Sequence, residues 1–338
     1  MKILAMYLPQ FHRVKENDEW WGEGFTEWTT VRQAKPLFEG HIQPRIPLDE
    51  NYYNLLDKKT MQWQAFLMQK YGIDGMCIYH YWFKDGKKIL EKPVENLLKW
   101  KDINMPFCLC WANETWARSW SGLENINVWA DAYELSKKIG KKILLEQKYG
   151  NKEEWKKHFE YLLPFFHDER YIKIDDKPIF VFYKTKLISC FENMVEEWQK
   201  LAKLSGLKGI YIIANDYKQS SKNYIDSVLL HQLSNIIATE ERMEIINPKY
   251  KQHYIIDYDI VWKKILEKPV QKGTVVGGFV SYDDTPRRKK NGIVCVGTTV
   301  EKFKVYFTEL LAKNAALGNE IVFLNAWNEW GEGMDLEP

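Results

Sequence analysis

The chain has 338 residues, of which 45% are hydrophobic and 28% are charged, and this composition excludes a disordered or fibrous protein. Its 48 lysines and arginines nearly balance 46 aspartates and glutamates, so the formal net charge of +2 gives no indication that nucleic acid or an anionic membrane is a partner. No apolar run approaches the roughly 18 residues of a membrane-spanning helix. The first residues read as a strand because no small-residue cleavage site of a signal peptide follows them.

Short runs rich in β-branched and aromatic residues alternate with longer amphipathic stretches along the chain. The short runs predict eight strands, at residues 3–8, 74–81, 106–111, 178–183, 209–214, 226–231, 274–280 and 320–327. The amphipathic stretches predict helices at residues 57–71, 90–101, 152–167, 191–205, 257–268 and 299–317. Between Val300 and Leu311 the apolar residues recur every three or four positions, as they do on one face of a helix.

This alternation predicts an α/β fold, a single-domain (β/α)8 barrel of the TIM type that covers residues 1–338. An open doubly wound sheet is the competing fold. It requires a glycine-rich phosphate turn after the first strand, where the sequence is Pro9-Gln10-Phe11-His12. Pro338 follows the eighth strand too closely for a full helix, so we expect the eighth helix to be missing or truncated.

The five cysteines are odd in number, and most lie inside apolar runs such as MCIYHY, FCLCW and IVCV. Buried reduced thiols explain this distribution better than disulfides do. Cys108 and Cys110 share one face of a strand, but no further Cys or His pair stands nearby to complete a zinc site. We therefore expect a cytoplasmic protein without a metal or another cofactor.

Aromatic residues are abundant, with 15 Trp, 19 Tyr and 16 Phe. Many of the tryptophans cluster in loop-like segments, 20–28, 111–120 and 327–330, which are also rich in Gly, Asn, Glu and Thr. Flat apolar rings beside carboxylates and amides suit sugars, which present C–H faces and hydroxyl edges together. We therefore expect an oligosaccharide or polysaccharide as the partner. The alternative is that the rings only hold long loops in place.

In barrels of this type the active site forms from the loops that follow the strands. The substrate-binding candidates at these positions are Tyr7, Gln10, His12, Trp28, His80, Trp82, Trp111, Asn113, Glu114, Trp116, Tyr282, Asp283, Arg287, Trp327, Asn328 and Trp330. His12 and His80 either orient a substrate or only fix the top of the barrel. Asp283 and Arg287, with Asp284, either hold a sugar or an anionic group or form an internal salt bridge.

The motif NEWGEG after the eighth strand carries the strongest chemical signal. Glu329 and Glu332 stand three residues apart, with Gly331 between them and Gly333 after them. If the glycines let the chain turn here, both carboxylates reach one place. Repulsion and burial then raise the pKa of one of them and leave an acid beside a base, which is the division of roles that glycoside cleavage requires. The alternative is a pair of solvated loop glutamates.

The segments NAWNEWGEGMDLEP, FCLCWANETW, IYHYWF, YLPQFH and SYDDTPRR resemble the WbsX-type polysaccharide-biosynthesis proteins, which form a group with a glycoside hydrolase family 99-like domain. The resemblance runs from the first strand to the last residues. It implies a (β/α)8 barrel that acts on a bacterial-type polysaccharide, as in lipopolysaccharide biosynthesis. Enzymes of family 99 itself are retaining endo-acting α-mannosidases.

The family's ExxE motif falls on Glu329 and Glu332, which the resemblance makes the catalytic residues. It implies that Glu329 is the base that deprotonates the sugar 2-hydroxyl, giving a 1,2-anhydro intermediate. It implies that Glu332 is the acid/base that protonates the leaving oxygen. The family motif has a polar residue within ExxE, whereas this chain reads E-W-G-E.

Other interpretations stay open at this point. Asn113-Glu114 follows a strand, as Asn328-Glu329 does, and conventional retaining barrel enzymes use an Asn-Glu acid with a separate nucleophile at about 5–5.5 Å. Members of the WbsX-like branch are usually labelled glycosyltransferases, so glycosyl transfer on the same barrel is the second function. A catalytically silent glycan-binding barrel is the third.

Overall fold

The computed structural model describes residues 1–117, 143–230, 233 and 254–338. Its main element is a sheet of parallel, almost fully buried strands. These strands are β1 (Lys2–Tyr7), β2 (Gly75–His80), β3 (Phe107–Trp111), β4 (Lys177–Phe182), β5 (Tyr211–Ala214), β6 (Ser227–Leu230), β7 (the two segments Thr274–Val276 and Gly278–Phe279) and β8 (Ile321–Asn325). Each of the predicted strands is present.

Gly277 allows β7 to close the barrel. The strands pair in parallel from β1 to β6, and β8 pairs with the other edge of β1. The first segment of β7 pairs with β6 and the second with β8, with only Gly277 between them. A Cβ on Gly277 would lie 3.3 Å from the carbonyl oxygen of Leu230 and 3.5 Å from that of Phe323, so both neighbouring backbones approach this residue closely. The predicted (β/α)8 barrel is confirmed.

The helices are α1 (Lys15–Trp21), α2 (Glu27–Gln33), α3 (Lys58–Lys70), α4 (Lys92–Lys99), α5 (Lys152–Phe166), α6 (Phe191–Leu204), α7 (Tyr258–Glu267), α8 (Thr285–Arg288) and α9 (Val300–Ala316). The predicted helices correspond to α3 to α7 and α9. The sequence did not predict α1, α2 and α8, which lie in the loops after β1 and β7. Between β5 and β6 the structure has only a 3-10 helix, Gln219–Tyr224.

The described part of the chain also contains short antiparallel and parallel strand pairs. They are Trp116–Ala117 with Ile143–Leu145, Lys173–Ile174 with β4, Tyr254–Asp257 with Ile293–Val296, and Asn328–Glu329 with Met334–Asp335. The last pair forms a hairpin after β8, and the helical residues within 326–338 are those of the 3-10 turn Trp330–Glu332. Asn328 joins this hairpin to the end of β1, because its side chain accepts from the Leu8 N–H at 2.7 Å and donates to the Leu8 carbonyl at 3.0 Å.

Large aromatic side chains fill the layer between the strands and the surrounding helices. Trp198 of α6 lies 5.7 Å from Phe182 of β4 and 6.5 Å from Trp111 of β3, measured between ring centroids. Successive residues of a strand point to opposite faces, so the neighbours of these outward-facing residues point into the barrel. This alternation decides which side chains reach the site.

All five cysteines are free, as expected, and Cys190 is the one that is not fully buried. No helix in the described ranges is long and apolar enough to cross a membrane. Across the same ranges, no group of three or more His, Cys, Asp or Glu side chains is arranged to hold a metal ion.

Candidate active site

Glu329 and Glu332 lie on the hairpin that follows β8. Glu329 ends the first short strand, Trp330–Glu332 form a single 3-10 turn, and Gly333 has a φ of +59°. A Cβ on Gly333 would lie 2.9 Å from the backbone nitrogen of Asp283, so the turn needs glycine both for its conformation and for its close packing. This tight turn brings both carboxylates to the same side of the hairpin.

Arg287 of α8 holds three carboxylates in one cluster. Its Nη1 donates to Glu332 Oε1 at 2.5 Å, its Nη2 to Glu329 Oε2 at 2.9 Å, and its Nε to Glu27 Oε1 at 2.7 Å. We call these four residues the acidic cluster. The exposed fraction of the side chain is 9% for Glu329 and 13% for Glu332, so neither carboxylate points into bulk solvent. Since Nη1 and Nη2 share one carbon atom, the carboxylates bound to them are immediate neighbours.

Glu27, the first residue of α2, fills the space beside Gly331. A Cβ on Gly331 would lie 1.9 Å from Glu27 Oε1 and 2.7 Å from Arg287 Nε. Any side chain at position 331 would therefore displace Glu27 from the guanidinium. The glycine in E-W-G-E thus has a structural reason, which is the third glutamate packed against it.

Burial raises the pKa values of both glutamates of the hairpin. Loss of hydration is the largest cause for Glu329 and, with repulsion from Glu332 and Glu27, it raises the pKa of Glu329 to about 8 against the opposing charge of Arg287. Burial also raises the pKa of Glu332, and Arg287 again opposes the shift. Three carboxylates share one guanidinium here, so we expect the cluster to retain a proton near neutral pH. Such a pair can donate one proton and accept another.

Two tyrosines on the inner wall of the barrel lie near this pair. Tyr79 on β2 and Tyr183, the residue after β4, contact each other edge to face with ring centroids 6.3 Å apart. Burial is the main cause that raises the pKa of both phenols, and the charges of Glu329 and Glu332 add to it. Both hydroxyl groups are therefore close enough to the carboxylates to share their electrostatic environment.

Glu114 lies in a second group of charges at the ends of β3, β4 and β5. Its carboxyl makes no hydrogen bond or ion pair with any residue that the structure describes. Burial raises the pKa of Glu114 to about 8, while Lys184 opposes the shift and Asp216 adds to it. The pKa of Tyr183 responds to both Glu114 and Glu332, so this phenol lies between the two acidic groups.

The structure brings part of the predicted site together, namely Gln10, Glu114, Tyr282, Arg287, Glu329 and Glu332. Gln10 reaches the site through Tyr81, because its side chain is hydrogen-bonded to that phenol and Glu329 adds to the rise in the phenol's pKa. Tyr282 donates to Asp284 Oδ2 at 3.0 Å, and Glu332 adds to the rise in its pKa.

His80, Trp82 and Trp111 face helix α5 and not the acidic cluster. His80 Nε2 lies 2.8 Å from Nε2 of His158, and the Trp82 ring stacks on the His158 ring at 4.5 Å between centroids. Trp111 Nε1 donates to the Trp82 carbonyl oxygen at 3.0 Å. Strand alternation is the reason, because His80 must point outward if its neighbour Tyr79 points inward.

Tyr7, Trp28 and the hairpin residue Trp330 are buried and make structural contacts. Tyr7 donates to Gln64 Oε1 at 2.7 Å, and Trp330 Nε1 donates to Glu337 Oε1 at 2.8 Å. The rings of Trp28 and Trp330 lie 5.5 Å apart, and all three aromatic residues are buried. These contacts agree with the alternative interpretation of the sequence, in which aromatic rings only hold loops in place.

The side chains of Asn113 and Asp283 form hydrogen bonds with neighbouring loops. Asn113 accepts from the Lys184 N–H at 2.8 Å and donates to the Lys184 carbonyl at 2.9 Å. Asp283 accepts from Gln43 Nε2 at 2.6 Å and lies 2.8 Å from His41 Nε2, and these partners lower its pKa although burial alone would raise it. Both side chains therefore fix loops at the top of the barrel.

The remaining candidates, His12, Trp116, Trp327 and Asn328, are all buried. Burial lowers the pKa of His12 to about 4, although the backbone of Pro9 and the charge of Glu91 oppose the shift. Trp116 packs edge to face against Tyr81 at 5.1 Å, and Trp327 is buried at the start of the hairpin. Asn328 is occupied by the backbone of β1 as described above.

Sequence reasoning missed four residues near the carboxylates, namely Glu27, Tyr79, Tyr81 and Tyr183. Alternation along β2 and β4 would have found Tyr79 and Tyr183, because both are inward positions at strand ends. Glu27 lies in segment 20–28, which the sequence marks by its tryptophans, but nothing in the sequence indicated that this glutamate pairs with Arg287.

A closed parallel barrel with its acidic residues at the strand ends is the architecture of TIM-barrel enzymes. Residues 3–338 match the family described as Glycosyltransferase WbsX, and the chain belongs to this family. Two curated relatives from strains of Xanthomonas campestris pv. campestris, both named uncharacterized protein WxcX, are 30% identical over 345 residues. The match covers 99% of this chain and 47% of each relative, so the chain spans about half the length of these relatives.

Solved structures with the same fold include the GH99 endo-α-mannosidase from Bacteroides thetaiotaomicron. It superposes with a TM-score of 0.53 at 14% sequence identity, over 99% of this chain and 87% of that one. A glycoside hydrolase-like protein gives a TM-score of 0.54 at 12% identity, over 99% and 86% of the two chains. At these identities the similarity shows a shared fold.

Proposed function

We propose that this chain is a glycoside hydrolase that cleaves an α-linked, mannose-like bond in a bacterial-type polysaccharide. The observation that carries the proposal is the pair of nearly buried carboxylates, Glu329 and Glu332, held side by side on Arg287 with raised pKa values. Membership of the WbsX family and a barrel shared with an endo-α-mannosidase support a saccharide as the substrate.

In the proposed reaction Glu329 is the base and Glu332 is the acid. Glu329 removes the proton of the sugar 2-hydroxyl, O2 attacks C1 to form a 1,2-anhydro sugar, and the bond from C1 to the leaving oxygen breaks while Glu332 protonates that oxygen. Glu332 then removes a proton from the water that attacks C1, the C1–O2 bond breaks, and Glu329 returns its proton to O2. Two inversions at C1 retain its configuration, and both carboxyl groups recover their starting protonation.

Each glutamate has one oxygen left for the substrate. Arg287 binds Oε2 of Glu329 and Oε1 of Glu332, and no hydrogen bond from any residue in the described ranges reaches the second oxygen of either group. The guanidinium fork fixes both carboxylates in orientation, as preorganised acid–base groups require. A substrate can therefore engage both groups while Arg287 stays in place.

The substitution Glu332→Gln tests this assignment. The amide keeps the shape of the side chain and cannot donate the proton, so we expect kcat on an α-linked oligosaccharide to fall by about 10²–10⁴-fold with binding retained. The matched control is Glu114→Gln, which should keep kcat within about tenfold if Glu114 only binds substrate. Full activity of Glu332→Gln together with loss of activity in Glu114→Gln would assign the acid to Glu114 and contradict the proposal.

The description of the family favours a second function, glycosyl transfer on the same barrel. In that reaction an acceptor hydroxyl, and not water, would open the intermediate. A nucleotide-sugar donor would need phosphate-binding groups, and the sequence has no glycine-rich turn after its first strand. Product analysis with and without an acceptor sugar separates the two functions. Binding without any product after long incubation would leave a glycan-binding barrel.

A further inference from the structure

A cavity of about 240 Å³ lies outside the barrel wall, at the same end as the acidic cluster. It is bounded by the loop after β2, by residues 148–150 and by the first turns of α5. None of its lining residues belongs to the acidic cluster, and Glu114 is not among them. We call it the aromatic cavity. The predicted substrate-binding residues Trp82 and Trp111, which turn away from the carboxylates, line it.

The inner wall of the aromatic cavity is made of rings held in fixed positions. Trp82 stacks on His158 with an angle of 3° between the ring planes, and Trp111 meets His158 edge-on at 4.7 Å. At the rim, Trp155 Nε1 donates to the Tyr149 carbonyl at 2.6 Å, which fixes this half-buried indole. A wall that is ordered before a ligand arrives loses little conformational entropy on binding.

The rim carries polar groups of both signs. Lys148 and Lys157 supply two ammonium groups, and Asp85 and Glu154 supply two carboxylates, so the formal charges of the lining cancel. Each of these cations has a local partner besides, since Lys148 Nζ lies 3.4 Å from Glu146 and Lys157 Nζ donates to the Asp85 carbonyl oxygen at 3.3 Å, and an ammonium group keeps further donors for a ligand. Such a rim has no preference for an anion or a cation, whereas it offers donors and acceptors to hydroxyl groups. A ligand with apolar C–H faces and several hydroxyls, and without net charge, matches both the rings and the rim.

The volume limits the size of the ligand. Cavities that hold drug-sized molecules are roughly 300–1,000 Å³, so a cavity somewhat below this range suits a single sugar ring. We propose that the aromatic cavity is a second carbohydrate-binding site that takes one neutral pyranose unit, apart from the site of cleavage. That the unit belongs to the cleaved polysaccharide rests on the proposed function, but the binding itself does not.

Fluorine NMR on the full chain labelled with 5-fluorotryptophan tests this site. The Trp155 resonance is assigned with Trp155→Phe, and methyl α-D-mannopyranoside and methyl α-D-glucopyranoside are titrated to high millimolar concentration. We expect a saturable shift of the Trp155 resonance with a Kd on the order of 1 mM for at least one probe, which is a usual strength for a small neutral ligand.

Lys148→Ala should weaken this binding by about tenfold, because it removes a charged donor at the rim. The matched control Lys203→Ala changes an exposed lysine on α6 outside the cavity and should leave the Kd unchanged. No shift with either probe, or a shift that Lys148→Ala leaves unaltered, would overturn the proposal. Binding at Trp155 without any turnover of oligosaccharide would sink the proposed cleavage and leave this site standing, and turnover without binding would do the reverse.

Discussion

Glu27 makes the site more than a pair of carboxylates. It contributes a third negative charge to Arg287 and sits where a side chain at position 331 would otherwise lie. Without Glu27 the guanidinium would attract Glu329 and Glu332 more strongly and lower their pKa values. At the scale of single residues, therefore, Glu27 adds to the proton affinity that burial gives the proposed base.

The pH dependence of cleavage should reveal this role of Glu27. With Glu329 as the base, kcat/KM should rise with pH along an acid limb whose apparent pKa lies near 8. Glu27→Gln should move this limb to lower pH, because one repelling charge is removed. The control Glu23→Gln changes an exposed glutamate of the same loop, with 89% of its side chain exposed, and should leave the limb in place. An activity that falls with rising pH through 8 would instead make Glu329 the acid.

Arg287 should not be replaceable by lysine. The three nitrogens of the guanidinium contact three different carboxylates, whereas an ammonium group is a single point charge without this fork. We expect Arg287→Lys to lower kcat/KM by about 10²-fold through misplaced carboxylates. The control Arg32→Lys keeps a cation over the Tyr52 ring and should stay near the activity of the unsubstituted protein. Equal kcat/KM values of the two variants in steady-state kinetics would contradict a requirement for the three guanidinium contacts of Arg287.

At the scale of elements, the hairpin after β8 is held in place from two sides. Asn328 bonds to both backbone groups of Leu8 at the end of β1, and Arg45 donates to the Gly333 carbonyl at 3.0 Å and to Asp335 at 2.6 Å. These bonds fix the segment between them, which carries both glutamates. The geometry of the site therefore depends on these side-chain contacts.

Asn328→Ala should therefore weaken both the fold and the site. It leaves the buried N–H and carbonyl of Leu8 without these partners, which should lower the free energy of unfolding by about 2–4 kcal/mol. Urea denaturation measures this change. The control Asn104→Ala, at an exposed position, should alter the free energy by less than about 0.5 kcal/mol. If Asn328→Ala lowers the free energy of unfolding no more than the control does, the hairpin does not depend on the two hydrogen bonds between Asn328 and Leu8.

At the scale of the whole molecule, buried ionisable groups set the pH range of stability. Burial raises the pKa of Glu114 and Glu329 to about 8 and that of Glu337 to about 7, so the stability that these groups contribute is lost as the pH rises through those values. Burial lowers the pKa of His12 to about 4 and that of His80 to about 3, so these groups cost stability as the pH falls below 6.5.

Above pH 6.5 only the trend of the carboxyl groups remains. The free energy of unfolding should fall between pH 6.5 and pH 8.5, where only the carboxyl groups change their charge. Urea denaturation across this range tests the sign. Glu114→Gln should make the free energy of unfolding depend less steeply on pH. It removes one of the carboxyl groups that change their charge between pH 6.5 and pH 8.5 only in the folded chain. A free energy of unfolding that rises over this interval would contradict the account.

The sequence predicted the barrel well because its strands are buried on both faces and read as short apolar runs. It predicted that Glu329 and Glu332 converge, because glycines next to carboxylates imply a tight turn. It did not show which tryptophans face a substrate. Trp28 and Trp330 lie among polar and acidic residues, and this local sequence does not indicate whether a ring lines a site or packs under a loop. The pairing of Glu27 with Arg287 joins residues 260 positions apart, and no local pattern encodes such a contact.

A crystal structure of the Glu332→Gln variant with a bound oligosaccharide tests the central claim most directly. We predict that the sugar 2-hydroxyl lies within hydrogen-bonding distance of Glu329 and that the scissile oxygen lies beside the new amide, with Arg287 still bridging the two positions. An oligosaccharide whose scissile bond lies at Glu114, away from both residues of the hairpin, would contradict the account.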